Sequence, residues 1–133
     1  CRYALVFHGL KAADFKKMPF YFQQALTEIL LAEDVDQTTV DRYFALAGPI
    51  CFTKTSDRSI TAQLAKIGME LPRFAENFDV TQIVQSDFNL WFGALQHSIG
   101  QDYICPSDLM QTAMNQFKRT GQTQFERAGL STQ

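Results

Sequence analysis

The chain has 133 residues, a mass of 15.1 kDa and 46% hydrophobic residues. That is one domain's worth of chain, with enough apolar material for a core and too much for a disordered segment. Charged residues make up 20% and the formal net charge is −2, so charge alone predicts no general affinity for nucleic acid or membrane surfaces. Composition names no activity.

No apolar run approaches the roughly 18 residues of a membrane helix. The apolar stretch Ala4 to Phe7 is shorter than a signal-peptide core and no small-residue cleavage site follows it, so the expected location is the cytoplasm. Because a chain ordinarily begins with Met, Cys1 reads as the start of a processed or truncated chain. The three cysteines, Cys1, Cys51 and Cys105, are odd in number and far apart, unlike a disulfide framework. Cys51 lies in an apolar run and reads as a small core residue. His8 and His97 are isolated, and no Cys/His pair stands at ligand spacing, so neither a metal nor a cofactor is expected.

In chain order, residues 2–8 (RYALVFH) read as a strand bounded by Gly9, apolar enough to be buried on both faces. Pro19 opens a helix to about Ala32, with Phe22, Leu26, Ile29 and Leu30 at helical spacing. Asp36 caps a second helix through about Ala47, carrying Val40, Tyr43 and Phe44 and stopped by Gly48-Pro49. A second strand follows over residues 50–54. Ser56 or Asp57 caps a third helix with the stripe Ile60, Leu64, Ile67, Leu71 and Phe74, ended or kinked at Pro72.

Asp79 is placed to cap a fourth helix holding Val80, Ile83 and Val84, with Phe88, Trp91 and Phe92 beyond. Gly93 and Gly100 mark breaks, and residues 102–105 read as a short extended piece. Pro106 opens the last helix, with Leu109, Met110, Ala113, Met114 and Phe117 as its stripe and Gly121 as its close. The expected architecture is an α-rich α+β domain over residues 1–121, about five helices around a small sheet near 2–8 and 50–54. A weakly ordered polar tail, 122–133, docks at most through Phe125 and Leu130.

Two strands alone make a marginal sheet with exposed edges. The first strand therefore needs either an additional N-terminal strand or the same strand of a second chain, and a homodimer is the favoured expectation.

One segment carries candidate chemistry. Residues 53–59 (TKTSDRS) gather hydroxyls and two cations at a helix N-terminus, where free N–H groups and the positive dipole end suit an anion. Lys54, Thr55, Arg58 and Ser59 would hold a phosphate-bearing or carboxylate ligand, with Arg58 as a bidentate fork. The plainer alternative is an N-cap at Ser56 or Asp57 with solvated cations, and Asp57 would compete with an anion for the same N–H groups. No Gly-rich phosphate cradle is present.

The remaining candidates are weaker. Lys11, Lys16 and Lys17, with Arg2, form a basic cluster that reads as a solvated face or a nucleic-acid contact. His8 and His97 read as structural. Asn89, Trp91 and His97 could line a pocket but fit a core better. Glu28 and Glu33 lie too far round their helix to act as a carboxylate pair.

The segments GLKAADFK, LLAE and TKTSDRS, in that order and spacing over residues 3–70, resemble an uncharacterised bacterial family defined only as a domain of unknown function. The likeness continues loosely through SDFNLWFGAL and the Pro106 helix. Members of that family carry several dozen further N-terminal residues, including a strand that would pair with residues 2–8. They also often have an Asn in the third helix, where this chain has Gln63-Leu64-Ala65. Such small proteins are often carried on mobile gene cassettes. The resemblance implies no activity.

The expected function is that of a small non-catalytic binding protein, homodimeric and with a protein partner. The alternatives are an anion-binding protein at the 53–59 junction and a nucleic-acid-associated protein of a mobile element.

Overall fold

A computed structural model describes residues 2–99 and 101–127. Helices dominate: α1 (Met18–Ala32), α2 (Gln37–Ala47), α3 (Arg58–Glu70), α4 (Ser86–Gly93) and α5 (Pro106–Arg127). Short 3-10 segments precede α1 (Ala12–Lys17) and follow α3 (Leu71–Asn77). The sheet is one antiparallel hairpin, β1 (His97–Ile99) and β2 (Asp102–Ile104), with His97 opposite Ile104 and Ile99 opposite Asp102. The class is the expected α-rich α+β domain.

The caps form as their chemistry dictates. The Asp36 carboxylate accepts from the Thr39 N–H at 3.1 Å, and Asp57 accepts from the Ile60 N–H at 3.1 Å. Gly48 closes α2 at φ +72°, and Pro72 lies where α3 gives way to the 3-10 turn. The Thr39 hydroxyl on Asp36 is the leading cause that pulls this carboxyl down from an ordinary 3.8 to about 2. The Thr39 N–H and Lys118, whose ammonium is 3.3 Å away, add to it. A carboxyl depressed by folding adds stability above its unfolded pKa, and that stability is lost as pH falls through the folded value. The thermal midpoint of Asp36→Asn should therefore lie below wild type at neutral pH. The gap should close as pH falls from about 4 to about 2. A gap independent of pH would contradict the assignment.

Three expected elements differ. The strand pairing is not between 2–8 and 50–54. Residues 50–57 have no regular structure and are exposed throughout, so Cys51 is a surface thiol and not a core residue. Strand propensity needs a partner edge to be expressed, and among the described residues none reaches this segment. Second, residues 79–85 are a bent loop and not a helix. The Asp79 carboxylate turns back on Thr81, which lowers its pKa, and the buried Gln85 side chain fastens the loop, donating to the Asp79 and Gln82 carbonyls at 2.8 and 2.6 Å. Asp79 thus forms a local turn of the type Asp favours in loops. Third, the α5 backbone continues through Gly121 to Arg127. Gly100, Leu130 and the Phe125 side chain lie outside the described residues.

The core has two parts. Ile29, Leu30, Val40, Met110 and Met114 join α1, α2 and α5, while Val6, Ile67, Phe88 and Phe92 join α3 and α4. Residues 3–8 run extended between them, and Arg2 turns away at φ +61°. Tyr3 and Leu5 pack on the first cluster, Ala4 and Val6 on the second. The period-2 alternation of a strand thus serves two cores, which explains its near-continuous apolar sequence.

Candidate functional site

The extended segment 2–8 is held along one edge only. The His8 N–H donates to the Ile83 carbonyl at 2.8 Å, and the Gln85 N–H donates to the Val6 carbonyl at 3.3 Å, framing a single bridge between Phe7 and Val84. Further along, a side chain takes the place of a neighbouring strand. Asn89, fully buried on α4, accepts from the Val6 N–H at 2.7 Å through Oδ1, and its Nδ2 lies 3.4 Å from the Val6 carbonyl. A carboxamide carries a donor and an acceptor side by side, as a neighbouring strand's backbone would.

Because bridge residues alternate, the N–H and C=O of Leu5 and Phe7 point to the opposite edge. Among the described residues neither has a backbone or side-chain partner there. Beside this edge lies an apolar groove of about 330 Å³, lined by Tyr3, Leu5, Phe22, Leu26, Leu30, Tyr43, Met110, Ala113 and Met114. The groove is walled by α1, α2 and α5 and leaves Phe22 exposed at its rim.

Tyr3 fixes the groove's inner end. Its ring lies directly on Gly93, where a Cβ would overlap it, and its hydroxyl donates to Glu33 at 3.2 Å. Burial first, and the Glu33 carboxylate second, push the Tyr3 phenol far above its usual value. Glu33 ends α1 and is buried. It accepts from Ser107 Oγ at 2.8 and 2.7 Å and from Gln111 Nε2 at 2.8 Å, both in the first turns of α5. A carboxylate at that helix N-terminus is favourably placed. The arrangement ties the end of α1 to the start of α5. A second, polar cavity of about 240 Å³ lies alongside, with Asp36, Thr39, Gln111 and Lys118 in its wall.

The 53–59 junction is a different kind of place. Lys54, Thr55, Arg58 and Ser59 are all exposed. Asp57 occupies the N-terminal N–H of Ile60, and Ser59 Oγ accepts from Arg2 at 3.0 Å, with Gln63 Oε1 taking a second guanidinium nitrogen of Arg2 at 3.0 Å. Arg2 therefore faces α3, while Lys11, Lys16 and Lys17 stand exposed around the first turn. His97 donates from Nε2 to the Phe92 carbonyl at 3.0 Å, and His8 packs against the Phe78 ring. Trp91 is half exposed, so Asn89, Trp91 and His97 do not share a pocket wall. Glu28 bonds Gln24 and Ser86 and is remote in partnership from Glu33.

Sequence reasoning did not single out Glu33 with Ser107 and Gln111. The only trace is a carboxylate just after the apolar run Ile29 to Ala32, and an S-x-x-x-Q spacing at the start of another helix. It weighed Asn89 only as a pocket residue. Among the described residues, no His/Cys/Asp/Glu group could hold a metal, and no helix is long and apolar enough to cross a membrane.

No curated protein and no solved structure shows significant similarity to the chain. A family profile does match, over residues 1–109, most of the length. The chain belongs to the family described as a domain of unknown function, DUF6933.

Proposed function

We propose that the protein is a non-catalytic interaction protein that binds through the open edge of residues 2–8 and the groove beside it, and that its first partner is a second copy of itself. One observation carries this reading: Leu5 and Phe7 present unpaired backbone groups next to an apolar groove. Such an edge is a template for strand addition, in which main-chain hydrogen bonds give affinity and alternate side-chain pockets give specificity. The bacterial setting and a place on a mobile gene cassette rest on the sequence resemblance alone, and the cytoplasmic setting on the shortness of the apolar stretch Ala4 to Phe7. The anion reading of Lys54, Thr55, Arg58 and Ser59 has less support, since Asp57 and Arg2 already engage the helix start and Ser59.

Amide hydrogen exchange resolved at Leu5 and Phe7 tests the proposal. Both amides should become more protected as protein concentration rises, while the Val6 and His8 amides, bonded within the chain, stay protected throughout. Fast, concentration-independent exchange at Leu5 and Phe7 would contradict it.

A further inference from the structure

Residues 45–62 form a run in which every residue is exposed. Its apolar members stand in water: Phe52 is 71% exposed and Leu46 68%, and Ile60, which opens the α3 stripe, is 43% exposed. Within that run, residues 50–55 (ICFTKT) have the aromatic and β-branched composition of a strand. Among the described residues, no backbone N–H or C=O of 50–55 finds a partner. The same molecule thus holds a strand without an edge and, at Leu5 and Phe7, an edge without a strand.

We infer that residues 50–55 of one copy add as a strand to the Leu5–Phe7 edge of a second copy, and the reverse, giving a two-fold dimer with exchanged arms in which Phe52 fills the groove beside Tyr3 and Leu5. The inference rests on the edge-binding reading above and names the occupant. The arm is tethered at both ends in its own chain. The α2 stop at Gly48 holds one end, and the α3 N-terminus, gripped by Arg2 through Ser59 and Gln63, holds the other. In that tethered state it is unpaired. A second copy offers the identical edge free of the tether, at whatever concentration the arm itself is present. A two-fold interface is self-complementary, so every arm–edge contact occurs twice. Covering Phe52 and the edge together removes two of the exposures that a monomer leaves.

The test compares the full-length wild type with Phe52→Asp by light scattering over a concentration series. Phe52 is exposed in the monomer, so the variant should fold with an unchanged unfolding midpoint in dilute solution. Losing a buried aromatic anchor costs about tenfold or more in affinity. The substitution enters the dimer twice, so its dissociation constant should rise at least about a hundredfold. A dimer equally tight in Phe52→Asp overturns the inference and leaves edge binding intact, as pairing of 2–8 with 2–8 would produce. A wild type that is monomeric at every concentration overturns both.

A second measurement fixes the connection. With the three native cysteines changed to Ser, Phe7→Cys and Ile50→Cys, two positions that share the face of Leu5 and Phe52 when the arm pairs antiparallel, should form a disulfide under oxidised glutathione. That bond should join two chains. A disulfide closed within one chain, or none from a dimeric variant, overturns the exchange.

Discussion

Replacing Asn89 with Ala should unfold the protein more readily than almost any other single change, lowering its stability by about 2–4 kcal/mol in urea titration. The side chain is fully buried and bonds the main chain of Val6 in both directions. Its loss leaves the Val6 N–H buried without an acceptor, and an unmet donor in a core costs more than the bond it once made. It also frees one turn of the segment that separates the two cores.

Asn89→Asp separates this from simple loss of volume. The carboxylate can accept from Val6 N–H but cannot donate to the Val6 carbonyl, and it is an unpaired charge in a dry site. Burial raises its folded pKa above the unfolded value near 4, so the neutral form is favoured on folding. The penalty should be large at pH 7, shrink as pH falls, and be least near pH 4. An Asn89→Asp variant as stable as wild type at pH 7 would show that the amide's donor is unimportant.

Glu33→Ala should cost about 3–4 kcal/mol, because one carboxylate is the acceptor for Ser107, Gln111 and Tyr3. Three donors lose their acceptor together, two of them on α5. Glu33→Gln keeps the volume and one acceptor oxygen but turns an NH2 toward donors, so its loss should be smaller than that of Ala. Tyr3 gives an independent readout. Its phenol should titrate at lower pH in Glu33→Gln than in wild type, yet still above the ordinary tyrosine value, because burial and not Glu33 is the leading cause of its shift. Ultraviolet titration with Tyr3→Phe as the blank measures this. An unmoved Tyr3 titration would contradict the contact.

Elements whose signals are local were legible in the sequence. Pro19, Asp36, Gly48-Pro49, Asp57, Pro72 and Pro106 place helix ends by caps and missing donors, and α1, α2, α3 and α5 begin within a residue or two of Pro19, Asp36, Asp57 and Pro106. Residues 102–105 read as extended, and β2 spans Asp102–Ile104. Elements that depend on a partner were not legible. Residues 50–54 carry strand composition yet stay irregular, because composition cannot supply an edge. Residues 79–85 carry helical spacing yet form a loop, because Gln85 and Asp79 bond the backbone locally in competition with the helix.

An uncovered edge on residues 2–8 was expected, but as the edge of a sheet with 50–54 that does not form; Phe7 bridges Val84 instead. What closes the other side of residues 2–8, Asn89 standing in for a strand, was not expected, since nothing local distinguishes a buried amide that bonds main chain from one in a polar loop. Glu33 was hidden for the same reason. Its partners lie 74 and 78 residues away.

The most direct measurement is the solution mass of the full chain by light scattering from micromolar to millimolar concentration. An edge at Leu5 and Phe7 that is closed by a second copy predicts a mass rising from 15.1 kDa to twice that value. A mass that stays at one chain across the whole range would contradict the account.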